Sequence, residues 1–121
     1  MLTRKRFDPM AATYEIPSIQ QGDTFVARNI ATVTQSAAAV AISSAVMKII
    51  TAAGVTVATW DTADSTATIT GAGSNVIHIT EISAEATALW PLGMHNFTLK
   101  VRYTASSDKI TLLKGVITIL K

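Results

Sequence analysis

From Phe97 to Thr104 apolar and polar side chains alternate without a break. Phe97, Leu99, Val101 and Tyr103 fall on one phase, and Thr98, Lys100, Arg102 and Thr104 on the other. Successive strand residues point to opposite faces, so this pattern predicts a strand with one buried and one wet face. Thr104-Ala105-Ser106-Ser107-Asp108 is turn chemistry, and Lys109 to Leu120 is a second run rich in β-branched residues. Together they predict a β-hairpin that templates a sheet.

Upstream the same reading gives short strands and turns. Tyr14-Glu15-Ile16-Pro17-Ser18-Ile19 alternates, but Pro17 cannot donate to a ladder, so an edge strand is predicted. Gln20 to Asp23 is a turn. Thr24 to Val33 is a strand anchored by Phe25, with a bulge near Arg28-Asn29. Thr34 to Ala41 is small and polar and reads as a loop. Ile42 to Ile50 fits helix or strand spacing; its β-branched flanks and Gly54 favour strand. Val55 to Trp60, Thr66 to Thr70 and Val76 to Ile82 are further strands. Ser83 to Leu89 is the one helical turn: Ser83 suits a cap, Glu85 suits the first turn, and Trp90-Pro91-Leu92-Gly93 stops it. The sum is an all-β, antiparallel β-sandwich of 7–8 strands with one short connecting helix near residues 83–89. No βαβ alternation argues for a parallel α/β sheet.

Composition narrows this to one domain. The chain has 121 residues, 49% apolar and 15% charged, which suits a folded core and not a disordered chain. It has no cysteine, which removes disulfides, thiolate nucleophiles and zinc ribbons. Net charge is +2, and Arg4, Lys5 and Arg6 supply three of the ten basic residues. The remaining seven basic residues against eight acidic ones leave a balance of −1. Residues 1–12 therefore read as a flexible basic N-terminal arm, ending the charge cluster at Phe7, ahead of a near-neutral domain over residues 13–121. No nucleic-acid surface is expected on the folded domain. Phe7-Asp8-Pro9 stands where a signal peptide needs an apolar stretch, so no leader is expected. Ala37 to Val57 is the most apolar window, but Ser43, Ser44, Lys48 and Gly54 interrupt it, so no membrane span is expected.

Candidate chemistry is sparse. His78 and His95 are the two histidines, and neither they nor Asp61 and Asp64 show metal-ligand spacing; no metal and no cofactor are expected. No nucleophile elbow surrounds a serine. Gly71-Ala72-Gly73-Ser74-Asn75 lacks the phosphate-loop patterns and reads as a hairpin turn. Glu81 and Glu85 straddle a strand-to-helix junction, where solvated or capping roles suffice. Trp60 and Trp90 read as core anchors and not as sugar platforms, together with Phe25, Phe97, Leu99, Val101 and Tyr103. A non-enzymatic protein is expected.

Three stretches, in order, carry a family resemblance: Ile19-Gln20-Gln21-Gly22-Asp23-Thr24-Phe25; Ile79 to Gly93, a short helix closed by a Pro/Gly turn; and the paired runs Asn96 to Tyr103 and Lys109 to Leu120 with Leu112-Leu113-Lys114-Gly115. Over residues 14–121 the chain resembles the immunoglobulin-like β-sandwich domain of tailed-bacteriophage virion proteins, of the kind at the N-terminus of siphophage upper baseplate proteins. The alanine- and serine-rich Ser36 to Ala45 departs from the more polar text of that family. The resemblance implies a virion structural protein of the tail, baseplate or head–tail connection. It would be made in the host cytoplasm and would contact other virion proteins and copies of itself, with no membrane. The basic arm of Arg4, Lys5, Arg6 and Phe7 would order on a neighbour. The chain reads as ending with the domain, which favours a connector or accessory over an adhesin. A capsid decoration protein and a receptor- or carbohydrate-binding module are the alternatives.

Overall fold

The structure is a computed structural model, and it describes residues 18–35, 38–106 and 108–121. The strands are β1 (Ile19–Gln20), β2 (Arg28–Thr32), β3 (Thr34–Gln35), β4 (Ala38–Ala39), β5 (Ile42–Ile50), β6 (Thr56–Asp61), β7 (Ala67–Thr70), β8 (Val76–Ile79), β9 (Gly93–Tyr103) and β10 (Lys109–Leu120). A single helical turn, α1 (Ala84–Thr87), joins β8 to β9, and a 3-10 turn at Thr62–Asp64 joins β6 to β7. Seven strands have four or more residues; β1, β3 and β4 are two-residue ladders.

One sheet has the order β1-β10-β9-β5-β6 and the other β2-β8-β7. This is an immunoglobulin-type order. The strands β2, β8 and β7 stand where B, E and D stand; β5, β9 and β10 stand for C, F and G, with β6 outside β5. One pairing departs from the antiparallel expectation: β1 runs parallel to β10, Ile19 opposite Ile119. Antiparallel neighbours can be joined by a tight turn, whereas parallel ones need a long crossover, and here nearly the whole domain supplies it.

The inner faces meet in one core that includes Phe25, Met47, Ile49, Trp60, Ile77, Ile79, Phe97, Leu99, Val101, Tyr103, Ile117 and Ile119. In β9 every odd residue from His95 to Tyr103 is buried. In β5 the buried phase is Ala45, Met47 and Ile49, so Val46, Lys48 and Ile50 take the outer face. A register shift between Thr111 and Leu113 buries Leu112 and Leu113 together and carries β10 onward in phase. Gly115 lies opposite Phe97. A Cβ there would come within 2.8 Å of the Phe97 ring, so only glycine lets the two strands approach over that ring.

Three local expectations change. The strand foreseen from Thr24 begins at Arg28; before it, Phe25 makes one isolated bridge to Ile82 while the chain crosses between layers. The bulge sits one residue later, between Asn29 and Ala31. The foreseen loop at 34–41 contains a small ladder, β3 with β4, because backbone pairing needs no side-chain pattern. The foreseen Pro17 edge strand lies mostly outside the described residues; its surviving end is β1, at the sheet edge.

Candidate functional site

Phe25, Trp60 and Trp90 form an aromatic hub within the core. The Phe25 ring centroid lies 5.1 Å from that of Trp60 and 6.1 Å from that of Trp90, both tilted. Such pairs contribute about 0.5–1.5 kcal/mol beyond their buried area. The Arg28 guanidinium carbon sits 4.5 Å from the Phe25 centroid, and Trp60 Nε1 donates to the Thr80 carbonyl at 3.0 Å. Phe97, Leu99, Val101 and Tyr103 line the same core. All five aromatic residues among the described ones are buried, so those residues offer no aromatic platform for a sugar ring.

Outside this hub the α1 segment forms a shoulder fixed at several points. Ser83 caps α1 by accepting from the Ala86 amide at 3.2 Å. Thr87 Oγ1 donates to the Asp23 carbonyl at 2.6 Å, and Gln21 Nε2 donates to the Trp90 carbonyl at 2.6 Å. His95 Nε2 lies 2.7 Å from the Pro91 carbonyl oxygen. A carbonyl only accepts, so Nε2 carries the proton, and the buried Nδ1 has no hydrogen-bond partner. The shoulder carries three exposed carboxylates, Asp23, Glu81 and Glu85. Leu89 and Leu92 stand out from it, 85% and 49% exposed.

The remaining sequence candidates disperse. His78 Nδ1 sits 2.8 Å from Asn29 Oδ1 on the outer face of the three-stranded sheet. Asp61 Oδ1 accepts from the Ala63 amide at 2.9 Å and caps the 3-10 turn. The Asp64 carboxylate accepts from the Thr66 hydroxyl at 2.5 Å and the Thr66 amide at 3.1 Å, which holds it below the usual carboxylate range. Among the described residues no three His, Cys, Asp or Glu side chains converge. The 71–75 segment is a turn whose Asn75 reaches back to the Val33 carbonyl at 2.9 Å. Arg4, Lys5, Arg6 and Phe7 lie outside the described residues.

What sequence reasoning did not find is the outer face of the five-stranded sheet. Its cross-strand rows follow from the register. Lys109 is opposite Arg102, and Arg102 opposite Ser44. Thr111, Lys100, Val46 and Asp61 form the next row, and Lys114, Thr98, Lys48 and Thr59 the one after. Five of the seven basic residues among the described ones thus project from one face. Asp61 borders it at the β6 edge and Asp108 at the hairpin. Among the described residues none of the five cations is in an ion pair. The Arg102 Nε is buried without a hydrogen-bond partner. Lys48, Lys100, Arg102 and Lys109 surround a concave depression of about 420 Å³ with Val46 and Ile50 in its wall. Toward the α1 end the same face turns apolar: Met94, Val116 and Leu120 are 67%, 47% and 44% exposed. Met94 lies opposite Thr118, placing it on one face with its diagonal neighbours Val116 and Leu120.

Fold and surface together define an all-β, immunoglobulin-type sandwich with a cationic outer face and an acidic, apolar shoulder. No protein-family model, curated protein or solved structure matches the chain. Among the described residues no helix is long and apolar enough to cross a membrane.

Proposed function

We propose that this chain is a non-enzymatic structural protein of a bacteriophage particle, in the tail, baseplate or head–tail connection, working by contact with other virion proteins and with its own copies. The observation that carries the reading is the exposed apolar row of Met94, Val116 and Leu120 on one sheet face, with Leu89 and Leu92 exposed as well. Large apolar side chains grouped on a rigid surface suit protein–protein contact. The Ile19-Gln20-Gln21-Gly22-Asp23-Thr24-Phe25 stretch, Ile79 to Gly93 and the paired final strands supply the phage direction, through the resemblance they carry. The arm of Arg4, Lys5, Arg6 and Phe7 is proposed to reach an acidic patch on a neighbour; ten extended residues span about 33 Å.

The test is antibody labelling and mass spectrometry of particles purified from cells that make the protein. The chain is expected in the particles at a fixed copy number, and in reduced amount when residues 1–12 are deleted. A chain that stays free in the lysate while particles form normally overturns the reading.

A further inference from the structure

We propose that the cationic face of the five-stranded sheet receives the acidic α1 shoulder of a second copy of this chain, in a head-to-tail contact. This rests on the structural reading above and specifies which surfaces it uses. The two surfaces match in three respects. Lys48, Lys100, Arg102, Lys109 and Lys114 face outward from one, and Asp23, Glu81 and Glu85 from the other. The first has Val46 and Ile50 in the wall of its depression; the second carries Leu89, the most exposed large apolar side chain among the described residues. The receiving face also has a buried Arg102 Nε with no hydrogen-bond partner, a donor that a carboxylate would satisfy.

The shoulder is built to be received. Bonds from Gln21, Thr87 and His95 hold its backbone, so little ordering entropy is lost on docking. The contact uses two different patches of each copy. It therefore leaves one free cationic face and one free shoulder at the ends of any open oligomer, which adds copies until it closes as a ring or extends as a filament instead of stopping at a twofold dimer. A polyanion such as duplex DNA is the competing occupant of five cations. The apolar wall and the matching shoulder favour the protein.

Sedimentation of the full chain over a concentration series tests this, with a fold check by circular dichroism. The wild type is expected to gain mass with concentration. The gain should be lost at high salt, where the Debye length falls from about 10 Å at 0.1 M to about 3 Å at 1 M. Lys48→Glu/Lys100→Glu inactivates the face and Glu81→Gln/Glu85→Gln inactivates the shoulder; all four residues are exposed. Each variant alone is expected to remain a monomer. Mixed, they should form a one-to-one dimer and nothing larger, because only one good face and one good shoulder remain.

A wild type that stays monomeric overturns the contact, as do variants that associate as the wild type does. Capture of short duplex DNA by a monomeric wild type, lost in the Lys48→Glu/Lys100→Glu variant, also overturns it and assigns the face to nucleic acid. Particle incorporation separates the two readings. A monomer found in particles leaves the structural role standing without this contact. A self-associating chain absent from particles leaves the contact standing without that role.

Discussion

On the three-stranded sheet the outward rows read Thr68, His78, Asn29 and then Thr70, Val76, Thr32. On the five-stranded sheet they read Lys109, Arg102, Ser44 and then Thr111, Lys100, Val46, Asp61. Inward, the two sheets are alike: Ile77 and Ile79 on one side meet Met47, Leu99 and Phe97 on the other. The period of two lets each strand satisfy the core with half its residues and leaves the other half free. Only the five-stranded sheet loads that free half with charge. Two faces over one core therefore carry different chemistry, and the stability of the core and the chemistry of the faces can be changed separately.

The strongest blow to both faces at once falls on the shared core. Trp60 is fully buried, stacks near Phe25 and donates to Thr80. Replacing it with alanine is expected to cost about 3–5 kcal/mol, read as a shift in the urea midpoint. A loss below about 1 kcal/mol would mean that the two sheets do not depend on this aromatic hub.

A smaller blow separates the sheets. Gly115 is confined to the β9–β10 pair, where an added Cβ meets Phe97 at 2.8 Å. Gly115→Ala is expected to cost about 1–3 kcal/mol by overpacking, with hydrogen exchange rising first along β9 and β10. Uniform loss of protection across β2, β7 and β8 as well would show one cooperative unit with no difference between the sheets.

A third effect is confined to alkaline pH. Tyr103 ends the buried phase of β9, and burial raises its pKa above the usual value near 10. The folded state then holds the phenolic proton more tightly than the unfolded state does. That contribution is fully present below about pH 10 and is lost as pH rises through the raised pKa. Tyr103→Phe should flatten the alkaline limb of a stability–pH curve; an unchanged limb would assign the loss to other groups.

How much of this the sequence displays depends on the range of the contact. The β9 phase is local, and Phe97, Leu99, Val101 and Tyr103 declare it by simple alternation. The Ser83 cap and the Trp90-Pro91-Leu92-Gly93 stop are local too. The β3–β4 ladder is silent because Ala38 and Ala39 carry no pattern. Phe25 looks like the anchor of a regular strand, yet it makes a single bridge, because the sequence does not show where a chain crosses layers. The cationic face is hidden for another reason. Lys48 and Thr98 become neighbours only through the β5–β9 register. A balance of charges over the whole chain averages the basic face against the acidic shoulder and reports near neutrality.

A rival explanation for a weakened contact is that loss of net positive charge acts wherever it falls on the chain. Thr68→Glu/Thr70→Glu answers it. Both residues are exposed on the three-stranded sheet, away from the rows that carry the cations. Each swap lies within a β-propensity scale of about 1 kcal/mol, so the pair costs at most about 2 kcal/mol and the fold should survive. If place matters, this variant gains mass with concentration as the wild type does, while Lys48→Gln/Lys100→Gln, which lowers the net charge from +2 to 0 by the same two units, does not. If both lose association alike, only total charge counts and the faces are equivalent. The reason to expect a difference is screening. An exposed charge acts over about a Debye length, near 8 Å in physiological salt, whereas the opposite face lies beyond two packed layers whose spacing alone is about 10 Å.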